Sequence, residues 1–475
     1  MKNFNRTKII ATIGPSSIDK AVMQKMVAEG ADVMRINSSH GNYDFMKQVI
    51  DNVRALNKEK NYNIAILLDL QGPKIRIGEI ENGGCIIKDG DFFILTTKNV
   101  IGNAEQAFIQ YHNFHNDVKK GDVVLVDDGK IKLEVKEILP NGDVNTLVRN
   151  GGMLMSKKGV NLPYTQISIP SITEKDTADI KFALDNDVEW IGLSFVRTAA
   201  EIREIKNTIA NEKKFTRVIA KIEKPEAVRN IDSIISIADC IMVARGDLGV
   251  EIDMAQVPII QKKIIKKCLV ASKPVIVATQ MMESMITNFR PTRAEVNDVG
   301  NAVYDGADAL MLSAETSVGK FPVEVVAAMR KIIRAIEHDQ DIYYHMNEPD
   351  KNSPTFISDS VCYHAGVMAM QAGAKAIAAM THSGYTAFKI SSHRPRAGIF
   401  IFTDNNPMLN ILNLVWGVRG FYYDKYESTD NTINDIKEIL RENKFVDAGD
   451  CIIHVASTPL SERSRANTIK INMVN

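Results

Sequence analysis

The sequence predicts an α/β protein whose main part is a closed (β/α)8 barrel. Eight short runs rich in β-branched residues alternate with longer amphipathic segments, which is typical of parallel strands connected by helices. The runs are TKIIATIG, ADVMRIN, IAILLDL, EWIGLSF, RVIAKIE, CIMVARGD, PVIVATQ and ADALMLSAE. About a hundred residues interrupt the alternation after the third run, which is too long for an ordinary loop. A second α/β pattern follows the eighth run, so the fold class has three parts.

These three parts give the predicted domains. The barrel takes residues 1–72 and 169–339. The insert at 73–168 contains short strands separated by Asn-Gly, Asp-Gly and Gly-Gly turns, and this pattern predicts a small β-barrel domain. Residues 355–475 hold five further strand candidates and are predicted to form a C-terminal open-sheet α/β domain.

Composition excludes several classes of protein. The 475 residues include 58 basic and 58 acidic side chains, and this lack of a basic excess argues against a nucleic-acid partner. No apolar run reaches about 18 residues, so no membrane span is predicted. The five cysteines form no Cys-x-x-Cys pair and suggest neither a disulfide framework nor a zinc site. The expected location is the cytoplasm.

Polar side chains end six of the eight predicted barrel strands. They are Arg35 and Asn37, Asp69, Lys221 and Glu223, Arg245 and Asp247, Thr279 and Gln280, and Ser313 and Glu315. One such end alone is best read as a strand meeting solvent, and Lys221 with Glu223 could be a structural ion pair. Because the carboxyl ends of parallel strands share one rim of a barrel, six together favour a functional site.

The residue types indicate the chemistry. Glu223 and Asp247 follow adjacent strands and offer the oxygen ligands that Mg²⁺ prefers. Arg35 provides a planar fork for phosphate, and Lys221 provides a point charge beside the metal carboxylate. Such a set suits an anion whose transferring group spreads its charge over several oxygens. No phosphate-binding glycine loop occurs.

The chain resembles the pyruvate kinase family along almost its whole length. The segments that carry the resemblance are IIATIGPSS, MRINSSHG, LLDLQGPKIRIG, SKKGVNLP, AKIEKPEAV, IMVARGDLGVE, VATQMMESM, AEVNDVGNAVYDGADALMLSAETSVGKFPVE and THSGYT. The resemblance implies a TIM barrel with an inserted lid domain and a C-terminal regulatory domain. It also implies transfer of the phosphoryl group of phosphoenolpyruvate to ADP, which gives pyruvate and ATP in the last step of glycolysis.

The resemblance implies a role for each matching residue. Lys221, Arg35 and Thr279 match catalytic residues, and Glu223 and Asp247 match the ligands of Mg²⁺ or Mn²⁺. Arg35 and Lys221 also match substrate-binding residues, and the backbone at Gly246, with Asp247 and Thr279, matches the substrate carboxylate site. Thr279 with ordered water is the expected proton route to enolpyruvate. The residues that match the nucleotide-binding site of the family are Asn37, Ser39, His40, Arg76 and Lys158.

One departure concerns the potassium ion that many family members need. The residues that match the potassium pocket of those members are Asn37, Ser39, Asp69 and the carbonyl of Leu70, but Lys74 stands where those members carry a glutamate. The lysine places a fixed ammonium near this pocket, so we expect activity to need Mg²⁺ or Mn²⁺ but not K⁺. The alternative reading of Lys74 is a hinge lysine in solvent.

The resemblance further implies a homotetramer and allosteric control. Thr381, Ser383, Gly384 and Thr386 in THSGYT suggest a phosphate nest for a sugar-phosphate effector, although loss of regulation is an alternative. Two rival functions remain open at this stage. One is a metal-dependent lyase or aldolase acting on phosphoenolpyruvate or pyruvate, and the other is a catalytically silent metabolite sensor.

Overall fold

The first strands of the barrel form where the sequence predicts them. The structure is a computed structural model that describes residues 4–39, 42–163, 165–425, 428–459 and 464–475. The first elements are β1 (Lys8–Thr12), α1 (Lys20–Glu29), β2 (Val33–Asn37), α2 (Tyr43–Lys60) and β3 (Ala65–Asp69). Helix α1 begins after Asp19, whose side chain accepts hydrogen bonds from two backbone N–H groups of the first turn, and ends at Gly30, whose φ is 115°.

The insert is built mainly of short strands. Its elements are β4 (Gly84–Ile87), β5 (Phe92–Thr96), β6 (Gln106–Phe108), α3 (Phe114–Asp117), β7 (Val123–Val126), β8 (Ile131–Ile138), β9 (Val144–Asn150), β10 (Gly152–Met155) and β11 (Val160–Asn161). Six strands form one sheet in the order β11-β7-β8-β9-β5-β6, and β10 pairs with β4. Alternating burial along β8 and β9 turns one face of this sheet toward an apolar core of its own.

The chain then returns to the barrel. The elements are α4 (Glu174–Asp185), β12 (Trp190–Leu193), α5 (Ala199–Asn211), β13 (Arg217–Ile222), α6 (Pro225–Arg229), α7 (Ile231–Ile237), β14 (Cys240–Ala244), α8 (Arg245–Glu251), α9 (Val257–Ala271), β15 (Val275–Ala278), α10 (Arg293–Tyr304), β16 (Ala309–Leu312), α11 (Ala314–Ser317) and α12 (Pro322–Ile336). Capping boxes at Thr173, Thr198 and Thr292 start three of these helices.

Eight parallel strands close the barrel in the order β1-β16-β15-β14-β13-β12-β3-β2. The runs are apolar and almost fully buried, as expected for strands covered by helices on one side and by the barrel interior on the other. Since all eight strands run in the same direction, their carboxyl ends lie at one rim. The predicted (β/α)8 barrel is confirmed.

The C-terminal part forms an open sheet. Its elements are α13 (Phe356–Gln371), β17 (Ala376–Met380), α14 (Tyr385–Ser392), β18 (Gly398–Thr403), α15 (Asn406–Leu412), β19 (Val418–Tyr422), α16 (Thr429–Glu442), β20 (Cys451–Ala456) and β21 (Thr468–Met473). The strand order is β19-β18-β17-β20-β21, and only β21 is antiparallel to its neighbour. The predicted open-sheet α/β architecture is confirmed, while the exact domain boundaries stay a prediction.

The C-terminal sheet packs against the end of the barrel opposite to the rim. Arg394, buried after α14, pairs with Asp308 immediately before β16, with Nη2 2.9 Å from Oδ2. Asn413 donates to the carbonyl of Asp32 just before β2, at 2.9 Å. Both barrel residues precede their strands, so these contacts lie at the amino-terminal end of the barrel and leave the rim open.

Candidate active site

Lys221 lies at the centre of a cluster formed by three neighbouring strand ends. Its ammonium nitrogen is 2.9 Å from Oε1 of Glu223 and 3.1 Å from Oδ1 of Asp69. It also donates a hydrogen bond of 2.7 Å to the hydroxyl of Ser194. These residues follow or end β13, β3 and β12, which are consecutive in the barrel. The cluster therefore exists because the barrel register brings these ends together.

Burial and charge together set the protonation of this cluster. Burial lowers the pKa of Lys221, but the charges of Asp69 and Glu223 outweigh it, and the pKa lies above its ordinary value. Burial acts to raise the pKa of Asp69, yet Lys221 and Arg35 hold it below the usual range. At neutral pH the cluster thus contains a fixed ammonium and an ionised Asp69.

Glu223 and Asp247 are the two carboxylates at the ends of adjacent strands. Burial raises the pKa of Glu223, Lys221 offsets this only partly, and the negative charge of Asp247 raises it further. Oε2 of Glu223 accepts a 2.8 Å hydrogen bond from the backbone N–H of Phe195. A cation close to both carboxylates would favour their ionised forms, so the electrostatics fit a metal ion.

The donor set fits a hard divalent cation. Among the described residues, no group of three or more His, Cys, Asp and Glu side chains could hold a metal ion. Glu223 and Asp247 would therefore act with oxygens of substrate and water, which is the usual manner of Mg²⁺. The residues present fit Mg²⁺ or Mn²⁺ better than a soft metal that prefers thiolate ligands.

Arg35 is held in place by two partners. Its Nε and Nη2 donate to Oδ2 of Asp69 at 2.9 and 2.6 Å, and Nη1 donates to Oγ1 of Thr12 at 2.9 Å. The side chain is 11% exposed, whereas that of Asp69 is 1% exposed. Asp69 consequently orients both Arg35 and Lys221, the two cations at this part of the rim.

Thr279 and Gly246 lie in contact at the next strand ends. Oγ1 of Thr279 accepts a 2.7 Å hydrogen bond from the N–H of Gly246 and donates a 2.6 Å bond to the carbonyl of Ala278. Thr279 and Gln280 have φ values of 69° and 53°, a conformation that is uncommon for two successive non-glycine residues. Such strain is typical of functional sites.

The predicted nucleotide residues fall into two groups. On the barrel, Oδ1 of Asn37 accepts a hydrogen bond of 3.1 Å from the N–H of Ser39. On the two connections of the insert, an isolated β-bridge joins Arg76 to Gly159, so Arg76 and Lys158 lie on paired chain segments. Lys158 Nζ is 2.9 Å from Oδ1 of Asp127. His40 lies outside the described residues.

The predicted monovalent-cation pocket is already hydrogen-bonded at two of its members. One carboxylate oxygen of Asp69 contacts Arg35 and the other contacts Lys221. The carbonyl of Leu70 accepts a 2.7 Å hydrogen bond from the hydroxyl of Ser194. Lys74 is exposed, and its Cε lies 3.6 Å from the point where a Cβ on Gly159 would lie. Lys74 is thus placed at the connection between barrel and insert.

Three of the predicted effector residues, Thr381, Ser383 and Gly384, lie in the turn before α14, and Thr386 lies in the first turn of that helix. Oγ1 of Thr381 accepts a 3.1 Å hydrogen bond from the N–H of Gly384, whose φ is 81°. A Cβ on Gly384 would lie 2.7 Å from the sulfur of Met408, so the turn requires glycine. Ser383 is exposed and Thr386 is buried, so only part of this group faces solvent.

Sequence reasoning missed Ser194 and Thr12. Ser194 follows the fourth strand and links Lys221 to the carbonyl of Leu70, and Thr12 ends the first strand and holds Arg35. Both positions are strand ends like the others. Hydroxyl side chains at these two ends were the available signal.

Two family models and several relatives match this chain. The model of the pyruvate kinase barrel domain matches residues 4–326, and that of the pyruvate kinase alpha/beta domain matches residues 359–472. The chain belongs to the pyruvate kinase family. The predictions of a pyruvate kinase and a phosphotransferase are thereby confirmed, as is the reaction that transfers phosphoryl from phosphoenolpyruvate to ADP.

The relatives extend over nearly the whole chain. A pyruvate kinase of Staphylococcus epidermidis is 39% identical over 472 residues, covering 99% of this chain and 81% of the relative. A pyruvate kinase of Geobacillus stearothermophilus is 40% identical over 477 residues, covering 99% and 80%. A crystal structure of a pyruvate kinase from Cryptosporidium parvum superposes with a TM-score of 0.93 at 33% identity, covering 99% of this chain and 96% of that one.

Members of the pyruvate kinase family generally use Mg²⁺ or Mn²⁺, in agreement with the donor set. Within the part of the chain that the structure describes, no helix is both long and apolar enough to span a membrane.

Proposed function

We propose that phosphoryl transfer from phosphoenolpyruvate to ADP takes place at the rim around Lys221. The observation that supports this most strongly is the placement of the Lys221 ammonium between Asp69 and Glu223, in the electrostatic field of Asp247. Glu223 lies in this cluster, and Asp247 follows the adjacent strand β14, so two candidate metal ligands and a buried cation share one part of the rim. This is the arrangement that a transferring phosphoryl group needs, because its negative charge spreads over several oxygens.

Each residue at the rim has a role in this proposal. Glu223 and Asp247 hold Mg²⁺ or Mn²⁺, which supplies positive charge to substrate oxygens when it is bound. Lys221 stays protonated and compensates charge on the phosphoryl group and on the enolate oxygen. Arg35, oriented by Asp69, binds the phosphate with its fork.

Gly246, Asp247 and Thr279 form the substrate carboxylate side. The N–H of Gly246 donates to Thr279, and a bound carboxylate would compete for this donor. Thr279 then directs ordered water toward the methylene carbon of enolpyruvate, which has to gain a proton. Because the hydroxyl of Thr279 already donates to the Ala278 carbonyl, it orients the water by accepting rather than by donating.

The nucleotide binds between the barrel and the insert. Arg76 and Lys158 on the insert connections face the polyphosphate, and Asn37, Ser39 and His40 bind from the barrel side. A nucleotide phosphate would compete with Asp127 for Lys158, since that ion pair is only partly buried. The insert acts as a lid that excludes water during transfer.

Activity requires no K⁺ in this proposal. Lys74 supplies the positive charge that a monovalent cation supplies elsewhere in the family, in the region of Asn37, Ser39, Asp69 and Leu70. The absence of a K⁺ requirement is supported by the hydrogen bonds from Arg35 to Asp69 and from Ser194 to the Leu70 carbonyl, because two of the oxygens that would bind a monovalent cation already accept hydrogen bonds.

The remaining proposals concern assembly and control. The chain forms a cytoplasmic homotetramer, with α10 at an interface between subunits. The turn of Thr381, Ser383, Gly384 and Thr386 binds a sugar phosphate. The exposed Ser383 and the glycine-dependent turn geometry support an anion site there, because backbone N–H groups of such turns bind phosphate.

One assay separates this function from its rivals. Purified protein is incubated with phosphoenolpyruvate and Mg²⁺, with and without ADP, and both pyruvate and ATP are measured. The proposal requires equal amounts of pyruvate and ATP, formed only with ADP. Pyruvate formed without ADP would indicate a lyase-type barrel enzyme, and no product in either arm would indicate a sensor.

A further inference from the structure

A buried ion pair lies behind the proposed metal site and contacts the insert. Lys224 Nζ is 2.7 Å from Oε1 of Glu251, and the two side chains are 8% and 0% exposed. The amide nitrogen of Asn161, on the insert strand β11, donates a 2.8 Å hydrogen bond to the same oxygen. One carboxylate oxygen therefore joins the barrel to the insert.

Each member of this trio is close in sequence to a residue of the proposed active site. Lys224 directly follows Glu223, and Glu251 ends helix α8, whose first turn contains Asp247. Asn161 comes three residues after Lys158 on the insert connection. The trio thus links both metal carboxylates to the segment proposed to bind nucleotide phosphate.

Two further contacts strengthen this link. The Lys224 ammonium lies 5.9 Å from the centre of the Phe195 ring, and the N–H of Phe195 donates to Glu223. A Cβ on Gly129, in the turn between β7 and β8, would lie 3.9 Å from Cγ1 of Val250 in α8. The insert therefore contacts α8 through the hydrogen bond from Asn161 to Glu251, and its β7–β8 turn passes close to Val250.

Stability alone does not account for a charged pair at this place. Removing two charges from water is costly, and well-packed apolar side chains of similar volume often stabilise a protein equally well or better. Oε2 of Glu251 is moreover buried without a hydrogen-bond partner, which adds to the cost. The pair instead fixes the relative positions of two segments, because Oε1 of Glu251 accepts hydrogen bonds from Lys224 and from Asn161 at the same time.

We propose that Glu251 is a positioning residue that couples the insert to the metal carboxylates. Through Lys224 it fixes the strand end that carries Glu223, through α8 it fixes Asp247, and through Asn161 it holds the insert connection beside them. Nucleotide binding to the insert and metal binding to the rim then favour each other. This inference rests on the proposed function for the identity of the two ligands.

Two variants distinguish a positioning role of Glu251 from a contribution to folding stability. The double variant Lys224→Met with Glu251→Leu replaces the pair by apolar side chains of similar size, and Asn161→Ala removes only the link to the insert. Lys206→Met is the matched control, because Lys206 forms a 2.8 Å ion pair with Asp239 just before β14, away from the rim. Thermal unfolding of all variants is recorded first.

The expected result is a loss of coupling without a loss of folding. The double variant should bind Mn²⁺ about tenfold more weakly in the absence of substrates, measured by electron paramagnetic resonance. Asn161→Ala should raise the KM for ADP about fivefold or more while leaving the KM for phosphoenolpyruvate close to the original. It should also speed backbone hydrogen exchange in β7 and β11. Lys206→Met should change none of these quantities.

A purely structural role predicts a different result. If the double variant and Asn161→Ala fold and keep the original Mn²⁺ affinity, ADP KM and exchange rates, the inference is overturned. If the double variant does not fold, Glu251→Gln with Asn161→Ala decides in its place by the same measurements. If the unaltered protein forms no ADP-dependent pyruvate, the proposed function fails, and Mn²⁺ affinity with hydrogen exchange still decides the coupling.

Discussion

The Lys221 ammonium lies 2.9 Å from a carboxylate oxygen of Glu223, and this contact pairs a buried positive charge with a buried negative charge. In the resting cluster the ammonium neutralises the buried carboxylate of Glu223. If Glu223 binds a metal ion as proposed, its contact with the ammonium would weaken, and the N–H that now faces Glu223 could turn toward the phosphoryl group. Under the proposed function, the pair would therefore act in catalysis as well as in charge compensation.

Replacing Lys221 by methionine should abolish transfer. The variant keeps a chain of similar length but removes the ammonium that lies between Asp69 and Glu223, and the loss of one such electrostatic contact costs about 10²–10³ in kcat. Metal binding and the fold should persist. The measurements are turnover in the coupled assay and Mn²⁺ affinity. Lys181→Met, at an exposed helix position, is the control, and near-normal turnover of Lys221→Met would remove Lys221 from the mechanism.

Activity should not respond to K⁺, and Lys74→Glu should make it do so. The glutamate removes the fixed ammonium and restores the side chain that K⁺-dependent family members carry. The assay is run in tetramethylammonium salts with and without KCl at constant ionic strength. We expect less than about a twofold effect of KCl on the original protein, since the Lys74 ammonium takes the place of the monovalent cation in the proposal. A large stimulation of the unaltered protein by KCl would contradict the proposal.

Loss of Arg394 should destabilise the contact between the barrel and the C-terminal sheet. Its guanidinium contacts both oxygens of Asp308 and the carbonyl of Gly306, and truncation would leave a buried carboxylate unpaired. Arg394→Met should lower the free energy of unfolding by about 3–5 kcal/mol, measured in urea. The exposed neighbour Arg396 provides the matched control. Arg396→Met should change it by less than about 0.5 kcal/mol, and equal effects of the two variants would refute the assignment.

Two buried histidines should make the C-terminal domain sensitive to acid. Burial lowers the pKa of His393 and of His454 to about 4. Because these values lie below the ordinary pKa of about 6.5, the folded state favours the neutral ring. The stability that this provides is complete above about pH 6.5 and is lost as the pH falls toward 4.

The corresponding measurement is urea unfolding at pH 7.5 and 5.5. The contribution of His454 to the loss of stability between these values should be about 1 kcal/mol. His454→Phe removes the titrating group and should reduce the loss by that amount. His364→Phe, at an exposed helix position, should leave it unchanged. An identical pH dependence in the original protein and His454→Phe would exclude this cause.

The sequence predicted the barrel and its rim because both depend on local patterns. Lys221 and Glu223 stand two apart after an apolar run, and this spacing alone places them on one face of an extended strand. Asp247 could be placed next to them since it follows the next strand. These inferences needed only strand order and direction, which the alternation of strands and helices indicates.

Other contacts at the site depend on strand register or on the approach of distant segments, and local sequence patterns could not predict them. Asp69 holds Lys221 because Gly192 of β12 lies opposite Asp69, which brings β3 within reach of β13 across a residue without a side chain. The link of Glu251 to Asn161 joins positions that are 90 residues apart through a fold-dependent approach of insert and barrel. No local pattern in the sequence encodes either distance.

The bridge between Arg76 and Gly159 has a mechanical consequence. A domain attached by one chain segment can turn about that segment, but the two connections of the insert are joined by backbone hydrogen bonds and restrain each other. The insert is therefore expected to move with both connections together. Arg76 and Lys158, one on each connection, would then approach the rim together.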